Sequence, residues 1–214
     1  MTNDVFESIS QGSSRTEDAE NCRIQEIANE LHRRSCLYEE ELRESKNNVR
    51  SSEIECRVAE GYAKEKGLWL PIAQVFGLGV PGPCGNENDT YVSDDIIFKV
   101  NNLLNSRGSV VQYFQKIFLH NTLFSETAYS FYAFTGFPGG TIMPIFKQNL
   151  IKEATPATTI EIATYMAALG FRSTSLAGRY TNDKFEVWDL LPRNVLKDDE
   201  GDIFVVDAEI KLVE

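Results

Sequence analysis

The sequence is poor in the residues that several protein classes require. It has two histidines, His32 and His120, and four cysteines (Cys22, Cys36, Cys56 and Cys84), none in a Cys-x-x-Cys pair. A structural zinc site is therefore not expected, and the thiols read as free in a reducing cytoplasm. No apolar run approaches the ~20 residues of a membrane span. The opening segment Met-Thr-Asn-Asp-Val-Phe-Glu-Ser has neither the basic nor the apolar stretch of a secretory signal. A cytoplasmic location without a membrane partner is the expectation. Positive charge is also scarce, with 21 Lys and Arg against 32 Asp and Glu, a net of −11. Nucleic acid is not expected as a partner, because its phosphates are bound by a basic footprint.

The mix of 42% hydrophobic and 25% charged residues is that of a globular chain. The Ser-rich first sixteen residues read as a disordered tail. From about 17 to 45, Ile24, Ile27, Ala28, Leu31, Tyr38 and Leu42 recur at helical spacing. Residues 17–50 thus form an acidic helical arm, either packed on its own domain or serving a homodimer as a short coiled coil. Ser52-Glu53-Ile54-Glu55 reads as a capping box opening a second helix, with Gly67 as its C-cap. Residues 69–80 favour strand, and a loop rich in Gly, Pro and Asn runs from Pro81 to Asn88. Thr90–Val92 and Ile96–Val100 are strands around a turn at Ser93–Asp95. A helix is expected over 109–119, a strand pair over 128–148 with Gly139 and Gly140 in its turn, and a helix opened by the capping box Thr158–Glu161 and closed by Gly170. Phe185–Trp188, Val195–Leu196 and Ile203–Val206 complete the strands, with Phe185 and Trp188 as core aromatics.

The chemistry concentrates near the C-terminus. Asp189 is followed five residues later by Asn194, which begins a short apolar strand. A polar turn closed by Gly201 returns a second strand that ends on Asp207. Such a hairpin brings Asn194 and Asp207 to neighbouring ends, with Asp189 on the loop before. Two oxygen ligands and a third acidic group are what phosphoryl transfer needs: the pair for magnesium on the nucleotide phosphates, the third to orient the attacking hydroxyl. Arg193 adds positive charge beside them. The backbone amides of the Gly82–Asn88 loop suit a phosphate cover, the alternative being an ordinary hairpin turn. His120 reads as a helix-end residue bonded to local backbone, and Cys84 as an inert thiol.

With these residues in place the chain resembles the protein-kinase-like superfamily. Asp189-x-x-x-x-Asn194 matches its catalytic loop, Asp207 its metal-binding Asp, and Lys99, in Ile96-Ile97-Phe98-Lys99-Val100, its strand lysine. Gly77, Gly79 and Gly82 fit a G-x-G-x-x-G frame upstream. More narrowly, Gly85-Asn86-Glu87-Asn88, Leu119-His120-Asn121, Lys147-Gln148 and Leu169-Gly170-Phe171 resemble the small kinase domain of bacterial polyvalent proteins, which belong to phages and conjugative elements. That resemblance covers about residues 50–213. It implies an α+β, protein-kinase-like fold over 51–214, with a small antiparallel-sheet N-lobe (about 68–148), a much reduced C-lobe (about 149–214) and N-terminal helices before them. It implies ATP and Mg2+ as cofactors. Lys99, Gly82, Gly85 and Asn86 would meet phosphates, Gln148, Asn149 and Leu150 adenine, Asn194 and Asp207 the metal, and Asp189 the acceptor hydroxyl.

The departures are specific. Val187-Trp188 stands where His-Arg is usual, and Ala208-Glu209 follows Asp207 in place of Phe-Gly. The helix over 109–119 has no acidic residue to pair with Lys99, leaving Glu126 as a candidate. Seven residues follow Asp207, too few for an activation segment and a large helical lobe. The expectation is an ATP- and magnesium-dependent phosphotransferase whose acceptor is a protein or a small molecule. The alternative is a pseudokinase-like binding module without catalysis.

Overall fold

The computed structural model describes residues 15–44, 49–137 and 140–213. The expected tail over 1–16 lies outside these except for its last two residues, which open the first helix; Gly139 of the expected turn also lies outside. The fold is α+β, with five α-helices and three antiparallel sheets among the described residues. Two compact units divide the chain. The first takes residues up to Phe118 and Tyr129–Leu150; the second takes Leu119–Ala128 and Ile151 onward.

In the first unit, α1 (Arg15–Glu44) and α2 (Ser51–Glu65) pack on each other. Ile24, Ile27, Ala28 and Leu31 of α1 are buried, while Tyr38 and Leu42 of the same stripe are half-buried. Arg34 ties the helices together, donating to Glu30 at 2.7 Å and to Glu65 at 2.6 Å. The α2 helix starts one residue before the expected capping box. Arg50 is its N-cap, without a side-chain bond, which places Glu55 too far along to reach back. Gly67, at φ +66°, closes the helix as expected.

The expected strand over 69–80 is corrected. Pro71 fixes its own φ and starts a single helical turn, α3 (Ile72–Val75), and tight turns at Gly77 and Leu78 follow. Only Val80–Pro81 remains as strand β1. It pairs with β2 (Asn88–Ser93), which pairs with β3 (Ile96–Asn101). Helix α4 (Val110–Leu123), β4 (Ser130–Gly136) and β5 (Ile142–Asn149) follow, giving the strand order β1-β2-β3-β5-β4. Side chains alternate across this sheet. Tyr91, Val100, Ala133 and Ile145 pack with Val75 on one face. Phe131, Phe134 and Phe146 meet Phe114 of α4 on the other, with centroids 5.1–5.7 Å apart.

An open β4 edge would invite pairing with another chain. Here α1 closes it. Glu20 accepts from the Phe131 amide at 2.8 Å, and Arg23 donates to the Phe131 carbonyl at 3.1 Å. Further along, the backbone of Leu68 and Leu70 bonds both polar groups of Phe134.

The second unit contains β6 (Thr155–Pro156), α5 (Thr159–Ala168), β7 (Arg172–Ser173), β8 (Tyr180–Thr181), β9 (Phe185–Trp188), β10 (Val195–Lys197), β11 (Ile203–Val205) and β12 (Glu209–Leu212). The sheets run β11-β10-β6 and β12-β9-β8-β7. The capping box at α5 forms as expected: Thr158 accepts from the Glu161 amide while the Glu161 carboxylate takes the Thr158 N–H. Gly170, at φ +81°, follows the helix. Phe185, Val187, Val195 and Val205 are buried; Trp188 is half-buried and lies under Arg179.

Candidate active site

In the second unit, two ladders bring the three C-terminal site residues together. In one, Val195 pairs with Val205, so Asn194 stands at the end of the hairpin, where its carbonyl accepts from the Val206 and Asp207 amides at 2.9 and 3.5 Å. In the other, Trp188 pairs with Glu209, so Asp189 leaves β9 next to the point where Asp207 and Ala208 enter β12. The short link from Val206 to Ala208 thus joins both sheets beside Asp189 and Asn194.

Asp189 has φ +62°, a left-handed conformation that Asp tolerates better than most residues. Its geometry is held by Asn194, whose Nδ2 donates to the Asp189 main-chain oxygen at 2.9 Å and to Oδ2 at 2.8 Å. Oδ1 accepts from Arg193. The carboxamide is thereby oriented by its NH2 group, which leaves its Oδ1 as an oxygen donor. Among the described residues, no three His, Cys, Asp or Glu side chains form a metal-binding group. A carboxamide and a carboxylate are nonetheless the hard oxygen donors that suit magnesium, which takes one or two carboxylates and completes its shell with water and phosphate. The donor set of Asn194 and Asp207 fits that ion.

Lys99 and the glycine loop belong to the first unit. Lys99 is in the middle of β3, paired with Thr90 on one side and Phe146 on the other, and only 7% exposed. Its Nζ donates to the Tyr129 hydroxyl at 2.8 Å and lies 4.8 Å from the centre of that ring. Gln148 is buried two residues beyond Phe146, and Asn149 ends β5. The Leu150 amide donates to the Asp95 carbonyl at 2.8 Å, a sheet-closing bond that uses one backbone donor of the segment expected to meet adenine.

The glycine loop joins β1 to β2. The Gly82 amide bonds the Thr90 carbonyl and the Gly85 amide the Asn88 carbonyl; Asn102 Nδ2 holds the Asn86 carbonyl at 2.8 Å. The Glu87 carboxylate faces Lys116 at 4.0 Å. Gly77 and Gly79 precede β1, so the expected G-x-G-x-x-G frame is not one loop; only Gly82 of the three lies in it. Gly79 serves packing, since a Cβ there would come within 2.3 Å of the Val92 carbonyl oxygen. Cys84 is exposed on this loop. His120 is buried, with Nε2 3.2 Å from Thr127 Oγ1 and 3.3 Å from its carbonyl, the local bonding expected of it.

A family model for the serine/threonine/tyrosine kinase found in polyvalent proteins matches residues 52–214, about three quarters of the chain. The chain belongs to this kinase family. No curated protein matches it. The family match takes in Lys99, the glycine loop and the Asp189–Asp207 hairpin, and begins just inside α2, leaving α1 outside.

Two residues of the first unit were not singled out for their roles from sequence. Tyr129 is one; the signal for it was a strand lysine whose neighbouring helix has no acid. Glu55 is the other. Its carboxylate accepts from Ser109 Oγ at 2.9 Å and from the Val111 amide at 3.3 Å, capping α4. That helix has no acidic residue in its own first turn. A carboxylate at a helix N-terminus is stabilising by about 0.3–1 kcal/mol.

Proposed function

We propose that the chain transfers a phosphoryl group from ATP, with Mg2+, to an alcohol group of a protein or small-molecule acceptor. The observation that carries this reading is the Asp189–Asn194–Asp207 arrangement, in which Asp189 orients the Asn194 carboxamide and the Asp207 amide bonds the Asn194 carbonyl where two ladders meet. In this reading the five-stranded sheet is a kinase-like N-lobe and the second unit a reduced C-lobe. Magnesium, when bound, neutralises charge building on the phosphates. Asn194 and Asp207 hold the ion. The Lys99 ammonium steadies the α- and β-phosphates, and the glycine loop, whose Gly82 and Gly85 amides bond Thr90 and Asn88, covers the β- and γ-phosphates with the amides of Cys84 and Asn86. Gln148, Asn149 and Leu150 border adenine. Asp189 orients the acceptor hydroxyl and takes its proton on a carboxylate oxygen. Catalysis then consists of positioning and charge stabilisation.

The test is ATP turnover and autophosphorylation by the wild-type chain and by Asp207→Ala. Turnover is expected in the first and none in the second, with the apo chain still folded. Wild-type turnover in Asp207→Ala would sink the assignment.

One observation favours a second reading, a nucleotide-binding module without turnover: both Asp189 carboxylate oxygens are engaged by neighbouring side chains. Thermal stabilisation by ATP and Mg2+ without any phosphoryl transfer would select it.

A further inference from the structure

Lys99 lies on the sheet face that α4 covers, and a buried ammonium is costly unless its hydrogens find partners. The sequence of α4, Val-Val-Gln-Tyr-Phe-Gln-Lys-Ile-Phe-Leu-His-Asn-Thr-Leu, contains no Asp or Glu. A carboxylate from that helix is therefore ruled out as the group that fixes the amine.

Tyr129 meets the amine through its hydroxyl. Its hydroxyl oxygen accepts from Nζ at 2.8 Å, which sets distance and direction. The same nitrogen is 4.8 Å from the ring centroid, beyond the hydroxyl edge of the ring rather than over its face. The tyrosine is itself held. It is 3% exposed and meets Phe146 edge-on, with centroids 6.3 Å apart and planes at 87°. Phe146 in turn is the ladder partner of Lys99 between β3 and β5. The ladder fixes the Lys99 backbone against Phe146, Phe146 fixes the tyrosine ring, and the phenol fixes the far end of the lysine. Such a closed circuit holds a long, rotatable side chain in one place, which a phosphate-contacting amine requires before nucleotide arrives.

We infer that Tyr129 is a positioning residue for the Lys99 amine, presenting it to the nucleotide phosphates. The inference rests on the phosphotransferase reading above, and it names a residue that the motifs of that reading do not include.

The experiment is calorimetric titration of Mg2+ and ATP into four full-length chains: wild type, Tyr129→Phe, Lys99→Met and the double variant. Tyr129→Phe keeps the ring and its packing and removes only the hydroxyl, so its apo melting temperature is expected to stay close to wild type. Its affinity for ATP is expected to fall about tenfold, the scale of one hydrogen bond to a charged group. In the Lys99→Met background the same substitution is expected to change affinity less than twofold, because the group it positions is gone. A merely structural tyrosine would lower affinity equally in both backgrounds, and that result overturns the inference. So does wild-type affinity in Tyr129→Phe. Absence of ATP binding by the wild-type chain overturns the phosphotransferase reading itself, and this inference with it.

Discussion

The Asn194 side chain donates to both the main-chain oxygen and the carboxylate of Asp189, at 2.9 and 2.8 Å. One residue thus fixes the backbone and the side chain of another five positions earlier. The pair holds Asp189 at φ +62°, a conformation that would be strained in most L-residues. Asp189→Asn keeps the shape and a side chain at ease in that region, whereas Asp189→Val is β-branched and is not. Both variants are expected to lose phosphoryl transfer. Only Asp189→Val is expected to lose a further ~1–3 kcal/mol of stability, read by urea denaturation.

Asn194→Ala removes both bonds at once and leaves Asp189 to be held by Arg193 alone among the contacts described above. The expected cost is about 1–3 kcal/mol, together with weaker nucleotide binding in the presence of Mg2+. Titrating ATP with and without Mg2+ separates the two effects. If the variant binds ATP with the metal dependence of the wild type, Asn194 is not a ligand.

Glu55 caps α4 from another helix, 54 positions before Ser109 in sequence. Glu55→Ala is expected to destabilise the chain by about 1 kcal/mol, the usual loss on removing a helix N-terminal acceptor. Glu53→Ala, in the first turn of α2 itself, is the control. Equal losses in the two variants, measured by chemical denaturation, would rule out the cross-helix cap.

Glu161 couples α5 to the hairpin that follows Asn194. The Lys197 ammonium at 2.6 Å, followed by the Thr158 amide and hydroxyl, holds its carboxyl at about 2, well below the ordinary 4.5. A carboxyl depressed on folding contributes stability that is complete above its unfolded value and is lost as pH falls through the folded one. The melting temperature should therefore fall with acidification from about 4.5 toward about 2, and Glu161→Gln should flatten part of that fall. Glu30 and Glu65, each held at about 2 chiefly by bonds to Arg33 and Arg34, and to Arg34, respectively, titrate in the same direction. The Gln variant should therefore reduce the slope without abolishing it.

In the glycine loop, a Cβ on Gly82 would stand 2.7 Å from Thr90 Oγ1, the hydroxyl that bonds the Pro83 carbonyl. A Cβ on Gly85 would meet nothing within 4 Å. Gly82→Ala is expected to lower the melting temperature by a few degrees, about 1 kcal/mol, while Gly85→Ala leaves it in place. Equal melting of the two variants would show that the Thr90 bond does not shape the loop.

Legibility in the sequence followed the reach of each interaction. The Thr158–Glu161 box was readable because both partners lie within one helical turn. The Ser52–Glu55 box had the same spelling and did not form, because the helix starts at Ser51 and Glu55 found Ser109. The strand propensity of residues 69–80 yielded to Pro71 and the turns at Gly77 and Leu78, which no periodicity count weighs.

The sequence by itself determined the order of the chemistry: a lysine inside an apolar strand, then an Asp and an Asn five apart, then a hairpin ending on a second Asp. Those features are local, and spacing decides them. Tertiary structure alone decided that Tyr129 meets the lysine amine, that Glu55 caps a helix not its own, and that α1 closes the β4 edge rather than standing free. These contacts join residues 30, 56 and 111 positions apart. Which distant groups come into range depends on the path of the whole chain, and apolar burial sets that path without regard to the spelling of any one segment.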